Sequence, residues 1–137
     1  MDGVAARLRK SDPLLRADRA AWLAAQWSTE MPGSGGRRKL RADPAHKHVN
    51  PVLYRRDEAV ECWKRIAAPV LWVEGDRSEA IPRWGAGFAP GELDLRIAAV
   101  ARVRREFLGP AGHMVHHDQP EALARLIEAF LDSEPAF

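Results

Sequence analysis

The sequence is poor in features that mark whole classes of protein. Its 137 residues include a single cysteine, Cys62, which excludes an intrachain disulfide and a cysteine-based metal cage. No apolar run is long enough for a membrane-spanning helix, and the N-terminus lacks the apolar core of a signal peptide. We therefore expect a soluble, cytoplasmic protein in which Cys62 is a small buried apolar residue of a helix.

An excess of charge of either sign is also missing. The chain has 21 Lys and Arg against 19 Asp and Glu, a formal net charge of +2. A nucleic-acid surface would need a concentrated basic stripe with interleaved aromatics, and the only basic cluster lies between Arg37 and Arg41. We expect neither a nucleic-acid nor a membrane partner. Hydrophobic residues make up 46% of the chain, enough for the modest core of one domain.

The first half of the chain combines helical patterns with an irregular link. A helix is predicted from Pro13 through the Ala-rich segment LLRADRAAWLAAQW. One Pro and three Gly between Thr29 and Lys39 predict a loop. A second helix is predicted over EAVECWKRI, with Asp57 or the residue before it as its cap. We interpret residues 1–66 as a helical, cap-like segment with an irregular linker.

The second half, residues 67–137, has the pattern of β/α units. The run VLWV lies between Pro69 and Glu74-Gly75-Asp76 and predicts a strand covered on both faces, as in a parallel sheet. VRREFL predicts a second strand whose charges suggest an edge or an exposed face. GELDLRIAAVA and QPEALARLIEAFL predict helices, the latter beginning at Pro120 and carrying one apolar face. The order strand, helix, strand, helix predicts two β/α units of a parallel sheet.

Two segments carry a resemblance to a known family. APVLWVEGDRSEAIP, followed later by AGHMVHHDQPEALARLIEAFL, resembles the C-terminal part of enzymes with the α/β-hydrolase fold. The resemblance implies an α/β fold class: two strands of the hydrolase's parallel sheet with flanking helices, preceded by the cap-like segment. It also implies cleavage of an ester-like bond in a small molecule with no metal or organic cofactor. The hydrolase subtype stays open, because the fold alone does not choose it.

Three histidines fall close together in LGPAGHMVHHDQP. By the resemblance, His113 is the triad histidine, on the loop after the last strand and at the carboxyl end of the sheet, where open α/β folds bind ligands. Such an imidazole takes the nucleophile's proton and returns it to the leaving group. His116 and His117 match no catalytic position and are interpreted as solvated residues, with Asp118 as a candidate helix cap. A zinc site is disfavoured, because adjacent histidines are hard to aim at one ion.

The acid of the triad is left open between alternatives. Many relatives carry Gly-x-x-Asp after the penultimate strand, whereas this sequence has Gly75-Asp76-Arg77-Ser78, with serine in the acid's place. Asp76 and Glu79 lie on either side of that serine, and both are candidates for the carboxylate that orients His113. An acid after the preceding strand is a third alternative. Both carboxylates also suit ordinary roles in a turn or at a helix start.

The nucleophile that the resemblance implies is missing. The family's serine lies in a strand-to-helix elbow, G-x-S-x-G, and no such motif occurs in the chain. Ser34, in PGSGG, comes closest, but it has Pro where the first Gly belongs and no apolar strand before it, so a flexible turn is predicted. The sequence is therefore interpreted as a C-terminal hydrolase fragment with the triad histidine and without turnover of its own.

An incomplete sheet has a further consequence. A strand that lacks one neighbour exposes an edge and apolar side chains that invite association. We expect self-association, or completion by a polypeptide that carries the N-terminal half of the fold. The alternative function is a non-catalytic interaction module that binds a partner chain through this exposed edge.

Overall fold

A computed structural model describes residues 2–78 and 91–134. The chain divides into two compact units, Met1–Leu53 and Tyr54–Phe137, which are described separately. This division lies earlier than the predicted boundary near residue 66, so the helix over EAVECWKRI belongs to the second unit. Among the described residues, no helix has both the length and the apolar character needed to cross a bilayer.

The first unit begins with two helices, α1 (Asp2–Ser11) and α2 (Ala17–Trp27). The structure confirms the predicted helix but starts it at Ala17, whereas the pattern pointed to Pro13. The first helix has no counterpart among the predicted elements. The two helices enclose a small core because the short apolar side chains of α2 allow close approach. That core consists of Leu15, Ala20 and Leu23, with Ala5 and Leu8 packed against it.

A short antiparallel hairpin follows α2. Its strands are β1 (Ser28–Glu30) and β2 (Arg38–Leu40), where only a loop was predicted. The turn between them is sharp because its three glycines have positive φ angles, a conformation that other residues disfavour. Buried Ser28 anchors the hairpin, since its Oγ donates to the Ala24 carbonyl and accepts from Arg38 Nε at 2.8 Å. A 3₁₀ turn, Pro44–Lys47, comes next.

The second unit is built on two parallel strands, β3 (Val70–Gly75) and β4 (Val103–Leu108). Both strands were predicted, and their parallel pairing is confirmed. The register runs from Val70 opposite Val103 to Gly75 opposite Leu108. Because side chains alternate along a strand, Trp72, Glu74, Arg105 and Phe107 share one face of the sheet. The sheet has two strands within the described part of the chain.

Within the described residues, four helices accompany this sheet. They are α3 (Arg56–Trp63) before β3, α4 (Glu92–Ile97) between the strands, and α5 (Val115–Asp118) and α6 (Pro120–Ser133) after β4. The predicted start of the last helix at Pro120 is confirmed. Its apolar face is only partly covered, because Phe130 is buried whereas Ile127 and Leu131 are 42% and 64% exposed. Among the residues of the unit that the structure describes, the buried apolar side chains are Ile97, Val100, Ala111, Val115 and Phe130.

Two predictions about α3 are wrong. Cys62 is exposed, whereas the next residue, Trp63, is partly buried and its ring packs 5.9 Å from that of Trp72. Asp57 is not the cap, since the helix starts at Arg56 and Arg55 occupies the N-cap position. The Asp57 carboxylate instead accepts a hydrogen bond from Arg56 Nε at 2.8 Å.

Candidate active site

His113 lies on the loop between β4 and α5. The strand ends at Leu108, the Gly109–Pro110 peptide bond is cis, and α5 begins at Val115. Because β3 and β4 are parallel, the loops after both strands meet at the same edge of the sheet. His113 is exposed at this edge, on the loop where the sequence places it, and its role as the triad histidine stays a prediction.

The turn after β3 is bonded directly to the histidine loop. Asp76 extends the strand pairing, since its backbone N–H donates to the Leu108 carbonyl at 3.0 Å. Its Oδ1 accepts from the backbone N–H of Ala111 at 2.9 Å. The N–H of Arg77 donates to the Ala111 carbonyl at 2.9 Å. Ala111 is fully buried, so these bonds replace the contacts with water that its backbone gives up.

Two glycines allow this close approach. Gly75 is buried, and a Cβ there would overlap the carbonyl oxygens of Ala111 and Gly112. A Cβ on Gly109 would overlap the carboxylate of Asp76. The end of β3 and the histidine loop therefore pack backbone against backbone, which requires glycine on the strand.

A second carboxylate reaches the same loop from its other side. Asp118, at the end of α5, accepts from the backbone N–H of Gly112 through Oδ2 at 2.8 Å. The side chain of Gln119 adds a bond to the Pro110 carbonyl at 3.0 Å. Asp118 was predicted as a helix cap, but α6 has Gln119 at its N-cap position and no side-chain cap. The short turn α5 directs the Asp118 carboxylate back to Gly112 instead.

A cavity of about 810 Å³ opens beside His113. Asp76 and Ser78 line the cavity together with the histidine, and aromatic side chains make up much of the rest. A mainly apolar wall with a few polar groups is typical of small-molecule sites. Its principal lining side chains are Tyr54, Trp63, Trp72, Leu93, Arg105 and Phe107.

The positive charges in the wall of the cavity are compensated. Arg105 Nε donates to Glu74 at 2.5 Å, and the same guanidinium also bonds Asp94. These hydrogen bonds, that of Glu74 first, raise the pKa of Arg105 above its usual value. Arg96 is paired with Glu92 on α4. Both guanidinium groups of the wall are therefore paired with carboxylates.

The structure brings some of the predicted site residues together. His113 and Asp76 line the same cavity, whereas Glu79 lies outside the described residues. Ser34 lies in the hairpin turn of the first unit, where its Oγ donates to the Met31 carbonyl at 2.6 Å and lies 3.1 Å from the Arg37 carbonyl oxygen.

Two further candidates from the sequence concern the neighbouring histidines. The rings of His116 and His117 contact each other with their centroids 4.1 Å apart and their planes tilted by 56°. Within residues 2–78 and 91–134, no group of three or more His, Cys, Asp or Glu side chains is arranged to hold a metal ion. The sequence analysis did not predict the hydrogen bond between the Gly112 N–H and the Asp118 carboxylate. The available signal was an acidic residue a few positions after the histidine.

Comparison with known proteins gives structural matches. Neither the protein-family models nor the curated proteins match the sequence. Among solved structures, a thioesterase domain from the curacin biosynthetic pathway is 28% identical with a TM-score of 0.71. The match covers 93% of this chain and 42% of that domain.

Two further solved structures match over most of this chain at lower sequence identity. A hypothetical protein from Pseudomonas aeruginosa PAO1 has a TM-score of 0.74 at 18% identity, over 96% of this chain and 44% of its own. An esterase from Mycobacterium tuberculosis has a TM-score of 0.69 at 16% identity, and the match covers 94% of this chain and 40% of the esterase. The chain thus spans less than half the length of the structures it matches.

Proposed function

We propose that this chain, which has the α/β-hydrolase fold, is the C-terminal portion of a hydrolase acting on small molecules and supplies its proton-transferring histidine. The bond cleaved is an ester or a related acyl bond. The observation that carries this proposal is the position of His113, beside an apolar cavity at the carboxyl ends of two parallel strands. Sites in open α/β folds form at this edge.

In the proposed reaction, His113 acts on a hydroxyl nucleophile. An imidazole nitrogen takes the proton of the hydroxyl as it attacks the acyl carbon, and then gives that proton to the leaving group. The sequence contains no G-x-S-x-G elbow. The nucleophile is therefore proposed to come from a strand–turn–helix segment outside these 137 residues. This chemistry needs no metal or organic cofactor.

The test uses the chain alone and a chimera. In the chimera, this chain replaces the matching 42% of the curacin-pathway thioesterase domain, so that the rest of that domain supplies the remaining strands. Cleavage of p-nitrophenyl butyrate and of an acyl-N-acetylcysteamine thioester is measured for both. We expect turnover and fluorophosphonate labelling in the chimera only. Labelling of the chain alone, with ester cleavage that His113→Ala removes, would refute the proposal of an external nucleophile.

The orienting acid is proposed to be one of the two carboxylates that flank Ser78. Asp76→Asn and Glu79→Gln are compared in the chimera. Loss of the carboxylate that holds the imidazole in its working tautomer should lower kcat about 10³- to 10⁴-fold, and the other variant should change it less than about tenfold. If both variants retain full kcat, the acid lies elsewhere, and the assignment to this turn is wrong.

A second candidate function is that of an interaction module. It is favoured by apolar side chains on the surface of the second unit, since Leu95 and Phe107 are 76% and 58% exposed. Exposed apolar surface of this kind marks contacts with another chain. A folded but inactive chimera, together with a stable complex between the chain and a second polypeptide, would favour this function over the hydrolase.

A further inference from the structure

Two consecutive backbone amides before His113 each donate to a carboxylate. The N–H of Ala111 donates to Asp76 Oδ1 at 2.9 Å, and the N–H of Gly112 donates to Asp118 Oδ2 at 2.8 Å. We propose that Asp76 and Asp118 form a clamp that fixes the backbone leading to His113, and that both are positioning residues. The catalytic value of the clamp rests on the proposed function, whereas the clamp itself does not.

The two carboxylates hold the loop from different elements. Asp76 belongs to the turn after β3, and Asp118 closes α5. The loop between β4 and α5 has no regular structure, and a four-residue helical turn is unstable by itself. Each carboxylate instead gives one backbone N–H of this loop an acceptor oxygen. The pair therefore determines the path of the chain immediately before His113.

The clamp is separable from the role of an orienting acid. Holding a backbone N–H requires an acceptor oxygen, which asparagine retains and alanine lacks. Stabilising a charged imidazole requires the negative charge, which asparagine lacks. For the clamp, asparagine at position 76 or 118 should therefore preserve the hydrogen bond to the backbone N–H that alanine removes.

The experiment measures amide hydrogen exchange in the ¹⁵N-labelled full chain. Asp76→Ala should accelerate exchange at Ala111, and Asp118→Ala at Gly112, each about tenfold or more, because each amide loses its acceptor. Asp76→Asn and Asp118→Asn should stay within about twofold of the parent chain. Asp132→Ala, on the exposed surface of α6, is the matched control and should leave both amides unchanged.

Three results would overturn the clamp. The first is unchanged exchange in both alanine variants. The second is equal acceleration in the alanine and asparagine variants, which would show that charge matters and not the acceptor. The third is equal acceleration at the amides of β3 and β4, which would show general destabilisation of the unit.

The functional part of the proposal is tested in the chimera. Asp118→Ala should lower kcat about tenfold or more with KM within about twofold, since a displaced histidine slows proton transfer without weakening substrate binding. Asp118→Asn should restore kcat. An inactive parent chimera would count against the proposed function and leave the exchange result standing. A parent chimera in which Asp118→Ala retains full kcat would refute the positioning role alone.

Discussion

Replacement of His113 by glutamine in the chimera is expected to reduce kcat about 10³- to 10⁴-fold. Glutamine approximates the size of the imidazole and keeps a hydrogen-bonding end, but it cannot accept and return a proton. The loss should therefore fall on kcat, with KM changed by less than about threefold, because the transition state loses an interaction that the bound substrate does not need. Steady-state kinetics with p-nitrophenyl butyrate measure both constants.

The two neighbouring histidines supply matched controls. His116→Gln and His117→Gln remove the same chemical group within four residues of His113, and we expect each to retain kcat within about threefold. Their rings lie on α5 and pack against each other, whereas His113 lines the cavity. Equal losses in all three variants would indicate general damage to the loop, and a His113→Gln chimera with more than a tenth of the parent kcat would refute the assigned role.

The sheet of the second unit could be predicted from the sequence because its signals are local. Val70 to Val73 form a continuous apolar run between a proline and a Gly-Asp turn, which predicts a strand buried in a parallel sheet. Parallel pairing then follows from the helical pattern between the two strands. Both strands and their pairing are confirmed.

The first unit was predicted less completely because its structure depends on contacts between elements. The Ser28–Glu30 strand is three residues long. Its pairing with the strand Arg38–Leu40 is supported by the hydrogen bond between Arg38 and buried Ser28, and the hydrophobic pattern of the sequence does not indicate that this serine is buried. Cys62 was assigned to the interior because free cysteine is usually a buried apolar residue, and that general tendency does not hold at this position, where the side chain is exposed.

In the candidate site, too, one part could be predicted from the sequence and another could not. The position of His113 follows from the resemblance and from the rule that parallel strands place their following loops at one edge. The bonds of Asp76 and Asp118 to the backbone of the histidine loop do not follow, because a carboxylate after a strand or in a turn suits a cap equally well. Only the folded turns show which amide each carboxylate reaches.

The largest effect on stability is expected for Gly75→Ala. The added Cβ would overlap the carbonyl oxygens of both Ala111 and Gly112, and a backbone held on both sides cannot move aside as a flexible side chain can. We expect a destabilisation of about 3 kcal/mol, at the upper end of the usual cost of overpacking. For a unit of this size, that lowers Tm by about 12–24 °C.

The same substitution at two other glycines should have smaller or opposite effects, because an added Cβ meets different neighbours there. At Gly109 the overlap is with the Asp76 carboxylate, which can rotate away at the cost of its bond to Ala111, so Gly109→Ala should cost about 1–2 kcal/mol. At Gly3, in α1, a Cβ meets nothing within 4 Å, and alanine should stabilise the helix by about 0.5–1 kcal/mol. Thermal melting, followed by the NMR signals of β3 and β4 for the first two variants and of α1 for the third, tests the order. Gly75→Ala with an unchanged Tm would mean that the strand end and the histidine loop are not packed together, and His113 would then lose the support that places it at the cavity.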